Sequence, residues 1–347
     1  MTTEDIVRNA SPRGTRQRIR RAVIIPAATD PVHRFGYDQV SMSDVAAAVN
    51  VGPSALYRHF ASKPKLLTAV VVVEEMQPFR EVFSAPDAST TLDDLVTGPA
   101  TAAAECRLLG PLWQQEARSL PEPDYATLRY EVRATVGMLA GLVRRNRPEC
   151  TEACANLLAQ GVCSVMCSLS TRGGELPKAD YQRLLRAVVT EVLTAEPAPT
   201  VARQSRPRMF TPSSRRERLR TAAIALFVAF VRGDEWLRHD MYRALERAID
   251  VVDALRRLLV SYVDFAVTRS DLVDVLVAES RHLLEAERSD FEQCRRSSLS
   301  EWVQLVRDAR ARTPEAELGI RVETVLTLIN DIAVPGTYER SPACWRP

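Results

Sequence analysis

The sequence lacks the features of membrane-spanning and secreted proteins. No apolar run approaches the roughly 20 residues that a membrane span requires. The first ten residues are polar and include Glu4 and Asp5, which is unlike the apolar segment of a signal peptide. We therefore expect a cytoplasmic protein with no membrane partner. In that compartment its seven cysteines would be reduced and need not pair.

Motifs of catalysis are also missing. The chain has four histidines, and none lies in an H-E-x-x-H arrangement. It has no G-x-S-x-G, no Walker loop and no G-x-G-x-x-G after a strand. Acidic stretches such as Glu285–Glu292 alternate with arginine, which is typical of a solvated helix face. The sequence therefore predicts neither an enzyme nor a cofactor.

Four cysteines have a spacing that a metal site could use. Cys150, Cys154, Cys163 and Cys167 follow the pattern C-x3-C-x8-C-x3-C. Residues four apart share one face of a helix, so each pair could offer two thiolates to a metal ion. Cysteine is also a common small buried residue. We favour core packing and predict no metal site.

Positive charge is concentrated near the N-terminus. Residues 1–70 carry ten Arg or Lys and five acids, a net of +5, which leaves −3 for the rest of a chain whose total is +2. Five of these arginines lie in the arm Arg13–Arg21. This distribution fits a partner that carries phosphates, although a basic solvated tail would look the same.

Helical periodicity dominates the chain and predicts an all-α fold. Apolar residues recur at three- and four-residue steps, as in residues 250–267, and the alternation typical of strands is nearly absent. A proline-rich stretch interrupts this pattern at residues 194–214. We therefore predict five segments: a basic arm and N-terminal domain (1–70), a helical domain (71–193), a linker (194–214), a second helical domain (215–335) and a tail (336–347).

The part of the chain after the linker is a shortened repeat of the part before it. Residues 216–231 align with residues 21–36 at an offset of 195, whereas residues 279–283 align with residues 116–120 at an offset of 163. The second copy is therefore shorter by about 32 residues, the difference between the offsets. The missing interval corresponds to the part of the first copy that follows Gly36.

That interval begins with signals for a short helix and a tight turn. Ser41 and Asp44 have the spacing of a capping box, with Asp in place of the usual Glu or Gln. Val45, Ala46 and Val49 supply an apolar face. Asn50 follows, and asparagine tolerates the left-handed backbone conformation that a tight turn needs.

A second and a third helix follow the turn. Gly52 suits an N-cap, and Pro53 suits the first helical position, where its missing N–H is not needed. Residues 54–60 are predicted to form the second helix, and Ser62 to cap the third, with Lys63 in its first turn. Two short helices joined by such a turn form a helix-turn-helix, whose second helix fits the major groove of DNA.

The stretch from Gly36 to Val71 resembles the helix-turn-helix of the TetR family of bacterial regulators, most clearly over residues 56–67. The resemblance implies that residues 36–68 bind double-stranded DNA. By position, four residues would face bases: Gly52, Pro53, Ser54 and Arg58. Three would hold phosphates: Tyr57, His59 and Lys63. An amphipathic hairpin with Tyr57 and Phe60 in its core is the alternative.

The resemblance also implies a repressor that responds to a small-molecule effector, bound among the helices of one or both lobes. Candidate pocket residues, for which ordinary helix packing is the alternative, are Trp113, Gln114, Glu116, Arg118, Met138, Tyr262, Phe265, Glu279 and Arg281. Family members dimerise through their C-terminal helices. We therefore expect either a homodimer or a pseudo-dimer in which the two lobes of one chain pair.

Two prolines depart from the family pattern. Pro26 and Pro31 lie in the helix that should support the motif, where the second copy has Thr221 and Leu226. A proline inside a helix costs roughly 3 kcal/mol. We therefore expect this helix to be kinked or broken, with Pro31 starting a new turn. The alternative function is a degenerate TetR-like protein that senses a ligand or binds a partner without sequence-specific DNA binding.

Overall fold

The computed structural model describes residues 23–29, 31–32, 40–84, 90–106, 110, 113, 120–172, 176–196, 239, 242–243, 245–270, 273, 285–309 and 313–333. Within these ranges the chain is helical and contains no strand, which confirms the predicted all-α class. The basic arm Arg13–Arg21, most of the predicted linker, the first part of the second copy and the tail lie outside the described residues.

The N-terminal helices form a small unit with its own apolar contacts. Residues 23–29 form α1, which is followed by α2 (Met42–Ala48), α3 (Pro53–Tyr57) and α4 (Lys63–Val70). After α4 the backbone hydrogen bonds change to the π-helical pattern at Val71–Glu75. The Met76 N–H donates to the carbonyl of Val71, five residues earlier, at 2.9 Å. This turn leads without a loop into the next helix.

In the described part of the first lobe the longer helices are α5 (Gln77–Ser84), α6 (Leu92–Glu105), α7 (Glu122–Asn146), α8 (Glu152–Arg172) and α9 (Lys178–Thr194). Helix α8 lies at the centre and contacts α6, α7 and α9. All nine residues from 161 to 169 are buried, so every face of that part of α8 is covered.

The length and composition of α8 also meet the minimum for a membrane span. Its segment Glu152–Leu169 is the one such candidate in the described part of the chain. However, 67% of that segment is buried inside the protein. This degree of burial is what the core helix of a helical lobe requires.

A second body of structure contains, among its described residues, α10 (Val251–Thr268), α11 (Glu285–Ala309) and α12 (Glu315–Ala333). Leu258, Trp302 and Val322, one from each helix, are buried together at its centre. Tyr262 packs edge-on against Trp302, with ring centroids 6.0 Å apart. The opposite side of α12 packs along α8 and joins the two bodies.

Candidate nucleic-acid interface

Helix α2 begins with the predicted capping box. The Asp44 N–H donates to the Ser41 Oγ at 3.2 Å, and the Ser41 N–H donates to the Asp44 Oδ2 at 2.7 Å. The Ser41 hydroxyl also donates to the same carboxylate oxygen at 2.7 Å. These hydrogen bonds favour the charged carboxylate and hold the pKa of Asp44 below its ordinary value. The start of the helix-turn-helix is thereby fixed by local bonds.

The turn after α2 is closed by a Schellman motif. Asn50 adopts a left-handed conformation with φ of 54°, as predicted. Its N–H donates to the Ala47 carbonyl at 3.0 Å, and the Val51 N–H donates to the Ala46 carbonyl at 2.9 Å. This pair of bonds satisfies the last carbonyls of a helix and reverses the chain sharply. The turn therefore sets the angle at which α3 leaves α2.

Helix α3 begins as predicted and ends earlier than predicted. Gly52 is the N-cap in an extended conformation, and Pro53 occupies the first helical position. The helix ends at Tyr57 instead of continuing to residue 60, so the predicted range 54–60 is wrong at its C-terminal end. The His59 N–H donates to the Leu56 carbonyl at 2.9 Å, which tightens the final turn. This turn directs Phe60 into the core, where it is buried.

The two sides of α3 differ completely in exposure. Leu56 and Phe60 are buried beneath it and attach it to the core. Five of the seven predicted DNA contacts are exposed: Gly52, Pro53, Ser54, Tyr57 and Arg58. The remaining two, His59 and Lys63, are half-buried. The structure therefore brings the predicted residues together on and beside one short helix.

Helix α4 adds positive charge beside this helix. Ser62 is its N-cap, and its side chain accepts a hydrogen bond from the Lys65 N–H at 3.4 Å. Lys63 occupies the first helical position, as predicted, and its charge contributes to the lowered pKa of Asp44. The Lys63 ammonium therefore lies close enough to α2 to attract the Asp44 carboxylate of the capping box.

Helix α1 supports the motif from behind, despite its prolines. Ile24, Ile25 and Ala28 are buried, whereas Pro26 is exposed. Residues 23–29 remain helical through Pro26, so the break expected there does not occur. The exposed ring faces solvent, which lets the buried side of the helix keep its packing. The start of a new turn expected at Pro31 depends on residue 30, which lies outside the described residues.

An ion pair that the sequence did not predict joins this unit to the first lobe. The Lys65 Nζ lies 2.7 Å from the Asp124 Oδ1, and Asp124 is almost fully buried at the start of α7. The two residues are distant in sequence, so no local pattern could have paired them. The contact links the orientation of α4, and hence of the motif, to the first lobe.

A small, partly open apolar cavity in the described part of the first lobe is relevant to the predicted effector. Its volume is about 30 Å³, and its lining residues are Met76, Phe79, Trp113, Val132, Thr135, Cys163, Met166 and Cys167. Trp113 was a predicted pocket residue and does line it. Met138 is not one of its described lining residues, and the Met138 sulfur lies 3.6 Å from the Ser84 hydroxyl.

Two predicted pocket residues of the second body, Tyr262 and Phe265, make packing contacts. Tyr262 donates a hydrogen bond to the Asn330 Oδ1 at 3.0 Å, and Phe265 packs against a small apolar cluster around Ala266 and Val273. Gln114, Glu116, Arg118, Glu279 and Arg281 lie outside the described residues. The structure therefore assigns packing roles to Tyr262 and Phe265.

The four spaced cysteines do not assemble into one site. The Cys154 Sγ lies 2.7 Å from the Cys150 Sγ at the start of α8, whereas Cys163 and Cys167 are buried further along the helix. Burial raises the pKa of the Cys163 thiol to about 12. Over the described ranges, no three metal-ligating side chains come together. The geometry agrees with the core-packing interpretation for Cys163 and Cys167.

Comparison with known proteins identifies the N-terminal unit. The family model for bacterial regulatory proteins of the tetR family matches residues 24–70, which span α1 to α4. No curated protein matches the chain. The match covers the capping box, the turn and the exposed helix described above. Residues 24–70 are therefore a TetR-type DNA-binding domain, and the chain that carries it is a TetR-like DNA-binding transcriptional regulator.

Proposed function

We propose that this regulator is a repressor that inserts α3 into the major groove of an operator. The observation that carries the proposal is the contrast between the two sides of α3, which has buried Leu56 beneath it and an exposed outer surface. A helix fixed in this way can present side chains to base edges without rearranging its support. The positively charged side chains on and beside α3 favour binding to a polyanion such as DNA.

The exposed residues divide into two groups by chemistry. Arg58 can donate two hydrogen bonds to a guanine edge, and Ser54 can bond to any base, so they supply sequence recognition. Gly52 and Pro53 carry no bulky polar group, and they let the start of α3 approach the bases closely. Three side chains would bind phosphates and position the helix: Tyr57, His59 and Lys63.

We further propose that the two helical regions, residues 71–193 and 215–335, are sensing lobes in a cytoplasmic protein that acts by binding and not by catalysis. The cavity in the first lobe is lined mainly by apolar and aromatic side chains, which suits an apolar effector. Its volume of about 30 Å³ holds only one or two water molecules. An effector would therefore have to separate α5, α7 and α8.

Met76 connects this cavity to the DNA-binding unit. Its side chain lines the cavity, and its N–H is bonded to the Val71 carbonyl where α4 passes into the π-helical turn. An effector that displaces Met76 would therefore shift the end of α4. The Lys65–Asp124 pair would carry movement of α7 to the other end of α4.

The test is selection of bound duplexes from a random DNA library by the full chain at roughly physiological salt, followed by transcription from a promoter that overlaps the enriched site. We expect an enriched site bound at least about 10³-fold more tightly than bulk DNA, and reduced transcription. A small apolar molecule that releases this duplex would identify the effector class. Activation of transcription at the same site would refute the repressor role alone.

A protein that has lost sequence-specific binding is the second candidate. Two observations favour it: Pro31 and Pro26 lie in the supporting segment, and the second copy lacks a recognition helix. In that case the same selection would enrich no sequence, and affinity would fall steeply with salt irrespective of sequence. The arginines and lysines would then account for all of the DNA binding.

A further inference from the structure

Helices α8 and α12 occupy equivalent places in the sequence repeat. At the offset of 163 residues, Glu152 corresponds to Glu315, and these two residues begin the two helices. The two helices therefore begin at aligned positions of the repeat. The two helices also pack on each other within one chain.

The contacts between α8 and α12 involve equivalent segments of both helices. A Cβ placed on Gly161 would lie 3.4 Å from the Leu328 Cδ1, and the Ser164 Oγ donates to the Asp331 Oδ2 at 2.6 Å. Leu328 and Asp331 correspond to positions 165 and 168 of the first copy. Each helix therefore contributes the same part of itself, residues 161–168 or their equivalents. Pairing of equivalent segments is one feature of an isologous interface, in which a surface meets its own copy.

A continuous stripe on α12 faces the first lobe. Its members recur at steps of three and four residues: Glu317, Ile320, Thr324, Leu328 and Asp331. Ile320 and Leu328 pack against the apolar core of the first lobe. The stripe therefore has an apolar side chain on each side of Thr324.

Polar groups close the ends of this stripe. Glu317 and Asp331 are both buried, and the Arg183 guanidinium lies 2.6 Å from the Glu317 Oε1. A second bridge joins Arg321 to Glu191 at 3.5 Å. Buried acidic groups with partners at fixed positions specify one register between the two helices.

We propose that the second copy serves as a built-in partner for the first, so that one chain is a complete pseudo-dimer with one recognition helix. The contact leaves no free face on the buried segment 161–169 for a second chain. Because the interval missing from the second copy contains the helix-turn-helix, this pseudo-dimer recognises a single half-site. The DNA part of the inference rests on the proposed function, whereas the pairing of lobes does not.

The first test is sedimentation velocity of the full chain from nanomolar to micromolar concentration. We expect a particle of one chain, 38.7 kDa, throughout this range. A stable two-chain particle at nanomolar concentration would overturn the pseudo-dimer. This measurement uses no DNA, so its result is independent of whether the proposed function is correct.

The second test counts chains on DNA. On a duplex that carries one copy of the enriched half-site we expect one chain, and on a palindrome two chains that bind without cooperativity. Cooperative binding by two chains would contradict a self-contained pseudo-dimer. Failure to bind any sequence specifically would instead count against the proposed function and leave the sedimentation result to decide the pairing.

A variant pair examines the contact itself. Ile320→Glu introduces a charge into the stripe, whereas Val325→Glu makes the same change on an exposed side of the same helix. We expect Ile320→Glu to separate the lobes, seen as a larger frictional ratio, self-association through uncovered α8, or loss of the fold. Val325→Glu should remain a compact monomer. Identical behaviour of the two variants would show that the stripe does not hold the lobes together.

Discussion

The Lys65 ammonium lies 2.7 Å from the carboxylate of Asp124, which joins the first turn of α4 to the first turn of α7. Lys65 is half-exposed and Asp124 is 7% exposed. The pair is therefore the point at which the DNA-binding unit is tied electrostatically to the first lobe. Loss of Lys65 would leave a nearly buried carboxylate without its cation.

We expect Lys65→Ala to lower the free energy of unfolding by about 1–2 kcal/mol, because the Asp124 carboxylate loses its partner while half of the pair remains hydrated. Urea denaturation followed by circular dichroism measures this change. Lys178→Ala is the control, since its ammonium lies 3.9 Å from Glu105 and both side chains are exposed. Equal effects of the two substitutions would contradict the role assigned to Lys65.

Arg58→Ala is expected to reduce sequence discrimination. If Arg58 bonds to a guanine edge, its removal costs about 1–3 kcal/mol at the enriched site and much less on bulk DNA. Fluorescence anisotropy on both duplexes at one salt concentration measures the ratio. Arg145→Ala, an exposed arginine at the far end of α7, serves as the control. An equal loss of binding free energy on both duplexes would indicate that Arg58 contacts a phosphate and not a base.

Tyr57→Phe is expected to weaken binding to all sequences alike. The exposed phenol would donate to a phosphate oxygen, and loss of a hydrogen bond to a charged group costs about 1.5–3 kcal/mol. The same anisotropy titrations, with the enriched and the bulk duplex, report whether the loss is uniform. Tyr130→Phe is the matched control, because Tyr130 is 70% exposed on α7, outside the DNA-binding unit.

Ser41→Ala should destabilise the start of α2. The Asp44 N–H loses its acceptor, and such N-cap truncations cost about 1 kcal/mol. Urea denaturation at neutral pH gives the value, and Ser41→Thr, which keeps the hydroxyl, should retain most of the stability. If Ala and Thr at this position gave the same stability, the cap would not contribute.

The contribution of this cap should also depend on pH. The hydrogen bonds from Ser41 lower the folded pKa of Asp44 below its ordinary value of 3.8. A carboxyl with a lowered folded pKa stabilises the protein above its unfolded pKa and loses that effect as the pH falls through the folded value. The difference between wild type and Ser41→Ala should therefore shrink on acidification below 3.8. A constant difference would exclude linkage through Asp44.

The motif was predictable from the sequence because its signals are local. Ser41 with Asp44, Asn50, and Gly52 with Pro53 each specify a cap or a turn within a few residues, and the structure confirms each of them. Such bonds form between neighbours and need no tertiary information.

The contacts between distant segments were not predictable in the same way. Lys65 pairs with Asp124, and Arg183 pairs with Glu317, only because the helices that carry them pack together. The end of α3 at Tyr57 is also a feature that the sequence pattern did not predict. The sequence predicts two helical lobes but not which helices meet, and the buried Ser164–Asp331 bond joins α8 to α12.

The central claim is that α3 recognises base edges in the major groove, and replacement of guanine by 7-deazaguanine in the enriched site tests it most directly. This change removes the N7 acceptor and leaves base pairing intact. We predict that one such replacement weakens binding of the wild type by about 1 kcal/mol or more and has no further effect on Arg58→Ala. An unaltered affinity at every guanine, or an equal loss in both proteins, would contradict recognition by α3.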